Sequence, residues 1–246
     1  MKKVFIALPT YNEAQNIRET VERIYKATHL LNDWELGILV IDDNSPDGTA
    51  EIVKELQRHH KSLHLLSGKK QGLGAAYIRG MSYIIKNFDP DYIMEMDADL
   101  QHNPDDIIRF LQKADKGYEF IIGSRYINKE TETKFGLNRK IYSWGANFIA
   151  RYIAGIYNIK DCTSGFRCIS AKFLKSIDLE KLQAKGYAFQ MDLLHAAYRA
   201  SNKSGLRITE IPIHFPDRQR GTSKLGAKDV IEFFINAIKL RLKKYS

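Results

Sequence analysis

Five short apolar runs, Val4 to Leu8, Leu36 to Ile41, Leu63 to Leu66, Tyr92 to Met96 and Phe120 to Ile122, alternate with longer stretches of helical period. This alternation is what most constrains the fold. Runs of that length are buried on both faces, and joining them through helices requires crossover connections, so the pattern predicts an α/β protein with a mostly parallel sheet. Ile17, Val21, Ile24 and Tyr25 recur at helical spacing between the first two runs, and Tyr77, Met81, Ile84, Ile85 and Phe88 between the third and fourth. Both stripes are suited to packing on the sheet.

In open parallel sheets, ligands bind at the carboxyl ends of the strands. Polar clusters stand there in this sequence. Pro9-Thr10-Tyr11-Asn12-Glu13 follows the first run, Asp42 through Thr49 the second, and Asp97-Ala98-Asp99-Leu100-Gln101-His102 the fourth. Asn103-Pro104 with Asp105 and Asp106 then predicts a capped helix start. Asp97 and Asp99 are one residue apart, so extended backbone would turn both carboxylates to one side, where they suit a hard cation such as Mg²⁺ or Mn²⁺. Taken alone, such a triplet is more often a solvated turn. Its place between a buried strand and a capped helix favours a metal site, with Gln101 as a further contact. Asp43 is expected to bind a base or ribose, and Asp47 to make a turn and helix cap.

Other features carry less. Gly72-Leu73-Gly74 lacks the endings of a dinucleotide or phosphate loop and reads as close helix packing. Arg125, Arg139, Arg218, Arg220 and Lys224 lie in loop-like contexts suited jointly to phosphate recognition. His102 and His214 are not at metal-ligand spacing, and no nucleophilic triad is evident. Cys162 and Cys168 read as buried free thiols. The formal charge of +9 favours an anionic partner, and without a run of about 18 apolar residues no segment is expected to span a bilayer. A semi-apolar helix is expected from about Tyr142 to Tyr157. A last helix places Val230, Phe233, Phe234, Ala237, Ile238 and Leu240 on one face, ahead of Arg241, Lys243 and Lys244.

Together the clusters resemble family 2 glycosyltransferases of the GT-A fold, and within them the polyprenol-phosphate (dolichol-phosphate) mannose synthases. Besides the three polar loops and Gly72-Leu73-Gly74, the segments that carry the resemblance are Gly123-Ser124-Arg125-Tyr126, Thr163-Ser164-Gly165-Phe166-Arg167, Gly186-Tyr187-Ala188-Phe189-Gln190, and Asp217-Arg218 through Ser223-Lys224. The resemblance implies a single catalytic domain over 1–246, a Rossmann-like sheet flanked by helices. An acceptor loop and interface helix would lie at about 127–157 and an amphipathic helix at 226–246. It also implies mannose transfer from GDP-mannose to a polyprenyl (dolichyl) phosphate with inversion. Pro9, Tyr11, Glu13, Ile41 and Asp43 would line the nucleotide pocket, while Asp97, Ala98, Asp99 and Gln101 would surround metal and diphosphate. Arg125, Arg218 and Lys224 would hold phosphates, with Asp99, Arg125 and Arg218 the catalytic groups, and Arg139 and Ser143 would receive the acceptor phosphate. A peripheral position on the cytoplasmic side of a membrane follows, by the chain's own surface or a small membrane subunit.

Two other readings stay open: a family 2 enzyme using UDP-glucose or a related donor, and a basic module that binds nucleotides or nucleic acid without catalysis. Paired carboxylates at the ligand edge would repel a nucleic-acid backbone, so no nucleic-acid partner is expected.

Overall fold

The structure is a computed structural model, and it describes residues 1–127, 144–182, 186, 188–216 and 227–242. In chain order the elements are β1 (Lys2–Thr10), α1 (Ile17–Thr28), β2 (Trp34–Asp42), α2 (Thr49–Leu56), β3 (Leu63–Ser67), α3 (Leu73–Phe88), β4 (Tyr92–Glu95), α4 (Ile107–Asp115) and β5 (Phe120–Ser124). There follow a helical segment over 144–153, β6 (Arg167–Ser170), α5 (Ala171–Ser176), α6 (Phe189–Ser204), β7 (Ile208–Pro212) and α7 (Ala227–Leu242).

The strands form one sheet in the order β3-β2-β1-β4-β6-β5-β7. All five expected strands are present. The sequence reading missed β6 and β7, and β6 runs antiparallel to both β4 and β5, so the sheet is mixed. That reversal matters for the site. The other strands bring their carboxyl ends to the ligand edge, whereas β6 brings its amino end, and with it the loop from Asp161 to Phe166.

Alternation along the strands sets the two halves of the core. Val4, Ile6, Leu8, Ile38 and Val40 face α1, α2 and α4, while Phe5, Ala7, Leu39 and Ile41 face α3, α6 and α7. A Cβ at Gly80, in the middle of α3, would lie 2.2 Å from Ile41 Cδ1, so only glycine lets α3 come this close to the sheet. The tight packing expected of Gly72 and Gly74 thus has its clearest case one turn and a half further on. Gly72 instead takes φ +102° at the start of α3, a conformation natural to glycine. Cys162 and Cys168 are free and buried, and burial pushes the Cys162 thiol up to about 12.

The segment over 144–153 turns from α-helix to a π-helical turn at Ile149–Ile153, with Ala150 and Ala154 buried. On its outer side Trp144, Phe148 and Tyr152 are exposed and in ring contact, Trp144 stacked on Phe148 and Phe148 tilted against Tyr152, with centroids 5.8 and 4.8 Å apart. The last helix departs from the single face expected of it. Phe233, Ala237 and Leu240 are buried against the core, whereas Phe234, Ile235, Ile238 and Leu242 are exposed. Residues 233 and 234 are about 100° apart around a helix, so one packs and the other points outward. The side chain of Val230 lies outside those described. Among the described residues, no helix is long and apolar enough to cross a membrane.

Candidate functional site

Three loops meet at the carboxyl edge of the sheet, held to one another by side chains. Asp42, the last residue of β2, accepts from Thr10 Oγ1 (3.0 Å), Ser45 Oγ (2.6 Å) and Ser45 N (2.9 Å). Asp47 accepts the Ala14 amide (3.0 Å) and both the amide and hydroxyl of Thr49, while Thr49 Oγ1 accepts the Glu13 amide (3.0 Å). The first loop is therefore tied to the second at several points. Asp47 does more than the helix capping expected of it. Of the neighbouring acids, Asp42 is a strut, and Asp43, only 7% exposed, is the one set toward Arg79, whose Nη2 donates to Asp43 Oδ1 at 2.7 Å.

Pro9, Tyr11 and Glu13 are half-buried along this edge. Lys70 Nζ stands 3.4 Å from the centre of the Tyr11 ring, a cation–π contact at the mouth of the expected nucleotide pocket. The Ile41 side chain is fully buried and packs beneath Gly80.

The segment from Asp97 to His102 folds back on itself. Thr20 Oγ1 donates to Ala98 O (2.9 Å), Gln101 N to Asp99 Oδ1 (3.1 Å), and Asp97 N to His102 Nδ1 (2.9 Å). Leu100 takes φ +66°, a left-handed conformation that non-glycine residues rarely adopt, and these bonds hold it there. Gln101 Nε2 donates to Pro216 O at 2.8 Å, which fixes the amide so that its oxygen faces the other way. Asp99 is 5% exposed, and the Asp97 side chain is 32% exposed.

These residues fit a divalent ion. Two carboxylates and an amide oxygen are hard donors, and too few to enclose the ion, as suits one that completes its shell with water and a diphosphate. Among the described residues no group of three or more His, Cys, Asp or Glu forms a self-sufficient cage. Gly165, from the loop that β6 delivers, faces the same place: a Cβ there would stand 3.9 Å from Asp97 Oδ1 and 3.7 Å from Gln190 Nε2. Glycine keeps that approach open.

Behind the edge lies a buried ion pair. Arg125, directly after β5, donates to Asp161 through Nε (2.7 Å) and Nη2 (2.8 Å), and to Thr163 Oγ1 (2.7 Å). Burial opposes the charge on Asp161, but Arg125 outweighs it and holds the carboxyl below the usual carboxylate range. Arg125 is therefore held in place by Asp161 and Thr163. A second buried pair sits deeper, with Arg167 Nε 3.9 Å from Glu95 Oε2. Arg167 also donates to the carbonyls of Gln190 (2.7 Å) and Cys162 (3.0 Å), fastening the start of α6 to the loop before β6. Burial pushes the Glu95 carboxyl up to about 7 against the pull of Arg167 and Gln190.

Asp161, Gly165, Arg167, Gln190 and Arg79 were not assigned roles from the sequence. Gly165, Arg167 and Gln190 lie in segments that carry the family resemblance, which was the available signal. Arg218, Lys224, Arg139 and Ser143 lie outside the described residues.

Residues 5–178 match the family model described as glycosyl transferase family 2. The chain is 36% identical over 236 residues to polyprenol monophosphomannose synthase of Mycolicibacterium smegmatis, covering 94% of this chain and 84% of that protein. It is 35% identical over 235 residues to undecaprenyl-phosphate mannosyltransferase of Micrococcus luteus, covering 95% and 92%. Among solved structures it superposes on glucosyl-3-phosphoglycerate synthase from Mycobacterium tuberculosis in complex with Mn²⁺, UDP and phosphoglyceric acid. The TM-score is 0.65 at 16% identity, over 98% of this chain and 78% of that one. That likeness shows the fold, GT-A. The match over most of the chain and the two close relatives show more: the chain belongs to glycosyl transferase family 2.

Proposed function

We propose that this chain transfers mannose from GDP-mannose to a polyprenyl (dolichyl) phosphate, in a single displacement with inversion at the anomeric carbon. The observation that carries the reading is the Asp97–His102 loop, braced at the carboxyl edge of the sheet, with the Asp97 carboxylate beside Gly165. Near-full-length similarity to two polyprenyl-phosphate mannosyl enzymes supports the sugar and the acceptor class.

An acceptor phosphate is ionised at neutral pH, so its oxygen attacks the anomeric carbon without a general base as the bond to the diphosphate oxygen breaks and GDP departs. The harder task is holding the charge that develops on the leaving group. Asp97, Asp99 and Gln101 would hold Mg²⁺ or Mn²⁺, which supplies that neutralisation. The roles of Arg125, Arg218 and Lys224 on the diphosphate and of Arg139 and Ser143 on the acceptor rest on the resemblance.

The acceptor is a lipid, so the protein works against a membrane surface or a small membrane subunit, from the cytoplasmic side. The exposed line of Trp144, Phe148 and Tyr152, together with Phe234, Ile235 and Ile238 of the adjoining α7, supports direct contact. Calorimetric titration of GDP and UDP in the presence of Mn²⁺ tests the donor. The expected result is GDP binding at least tenfold more tightly; equal or tighter UDP binding would favour the UDP-sugar alternative.

A further inference from the structure

His102 is 2% exposed and closes the metal loop from within. Its Nδ1 lies 2.9 Å from the Asp97 amide nitrogen. A backbone N–H can only donate, so Nδ1 carries no proton and the ring is the neutral tautomer protonated on Nε2. The ring is held in place on both sides, stacked on Phe166 at 4.7 Å and 16°, and tilted against Phe215 at 5.2 Å. Its Cε1 and Asp97 Oδ1 both lie 3.9 Å from the position a Cβ at Gly165 would take, so the ring borders the space that Asp97 faces.

Resting on the metal-site reading above, we propose that His102 is a positioning residue for the divalent cation. By accepting the Asp97 amide, it fixes the backbone from which the exposed carboxylate of the pair projects. Asp99 needs no such help, being buried and taking the Gln101 amide on Oδ1. Asp97 is the more exposed of the two, and its amide is the one bonded to a side chain of the same loop. Groups that orient metal ligands in this way typically change metal affinity by roughly 10- to 100-fold when removed.

Two amide substitutions separate this role from general packing. His102→Asn places an acceptor oxygen as many bonds from Cα as Nδ1, whereas His102→Gln moves it one bond further, and both lose the aromatic stacking equally. Mn²⁺ affinity is measured by electron paramagnetic resonance with saturating GDP, and the thermal midpoint is read without metal. The Gln variant is expected to bind Mn²⁺ roughly 10- to 100-fold more weakly, and the Asn variant within about threefold of wild type. Equal affinities for wild type and Gln, or equal losses in both variants, would overturn the proposal. If the Gln variant does not fold, the Asn variant's affinity and the ring nitrogen shifts of wild-type His102 decide: a loss beyond threefold, or a proton on Nδ1, overturns it. A wild type that binds no Mn²⁺ with GDP would instead refute the metal site itself, and this role with it.

Discussion

Replacing Asp161 by Asn tests how far the site depends on its buried ion pair. The Asp161 carboxylate is fully buried and accepts from Arg125 N (3.0 Å), Nε (2.7 Å) and Nη2 (2.8 Å), and from Thr163 N (3.3 Å) and Oγ1 (3.2 Å). Asparagine keeps one acceptor oxygen, turns the other position into a donor facing donors, and leaves the Arg125 charge uncompensated. Breaking one side of a buried pair costs about 3–5 kcal/mol. In a chain of this size each kcal/mol moves the thermal midpoint by roughly 2–4 °C, so the expected fall is about 6–20 °C. Circular dichroism at pH 7 reads it directly. The joint change Arg125→Met with Asp161→Leu should recover part of the loss, because no buried charge is then left alone. The sign with pH is also set. Asp161 is held below its unfolded value, so its contribution is present above the ordinary carboxylate range and fades in acid. The difference between Asn variant and wild type should therefore shrink toward low pH. A midpoint within about 2 °C of wild type at pH 7 would refute the reasoning.

Three further outcomes are expected. Gly80→Ala should destabilise by about 1–3 kcal/mol in urea unfolding although alanine favours helix, because its Cβ meets Ile41 at 2.2 Å; a gain in stability would contradict the packing described. Folded Glu95 titrates near 7, above its unfolded value of 4.5, so it keeps a proton the unfolded chain has lost and wild-type stability falls as pH rises through that window. Glu95→Gln should remove that fall, gaining roughly 2–3 kcal/mol relative to wild type between pH 5 and 8, and parallel profiles would refute the assignment. Finally, Trp144→Ser with Phe148→Ser should reduce co-flotation with anionic vesicles several-fold without moving the thermal midpoint, and unchanged flotation would remove these rings from the membrane contact.

What could be read from the sequence followed from continuity. The first five strands are uninterrupted apolar runs, and the loops after them are where an α/β sheet gathers ligands. β6 has the opposite signature: Arg167-Cys168-Ile169-Ser170 carries a fully buried arginine, made tolerable by Glu95 on the neighbouring strand and by two backbone carbonyls, that of Gln190 being distant in sequence. No local pattern announces such a strand, nor that it runs against its neighbours. β7 is short and half polar, and its pairing with β5 is equally non-local. Asp42 and Asp43 are indistinguishable as letters, and only the turn that Asp42 braces separates the strut from the residue paired with Arg79. Arg125 read as a loop cation because its partner lies 36 residues away. In α7, apolar residues occupy both sides of the helix, and periodicity alone does not say which side meets the core.

The central claim is that the braced Asp97–His102 loop holds a divalent ion for mannosyl transfer to a lipid phosphate. Its most direct test is incubation with labelled GDP-mannose and a short polyprenyl phosphate, followed by organic extraction, for wild type and Asp99→Ala, each with Mn²⁺ and with excess EDTA. Organic-soluble label from wild type with Mn²⁺ alone is the expected result. Transfer that persists in the Asp99→Ala protein under EDTA, or no lipid-linked label from wild type under any of these conditions, would contradict the account.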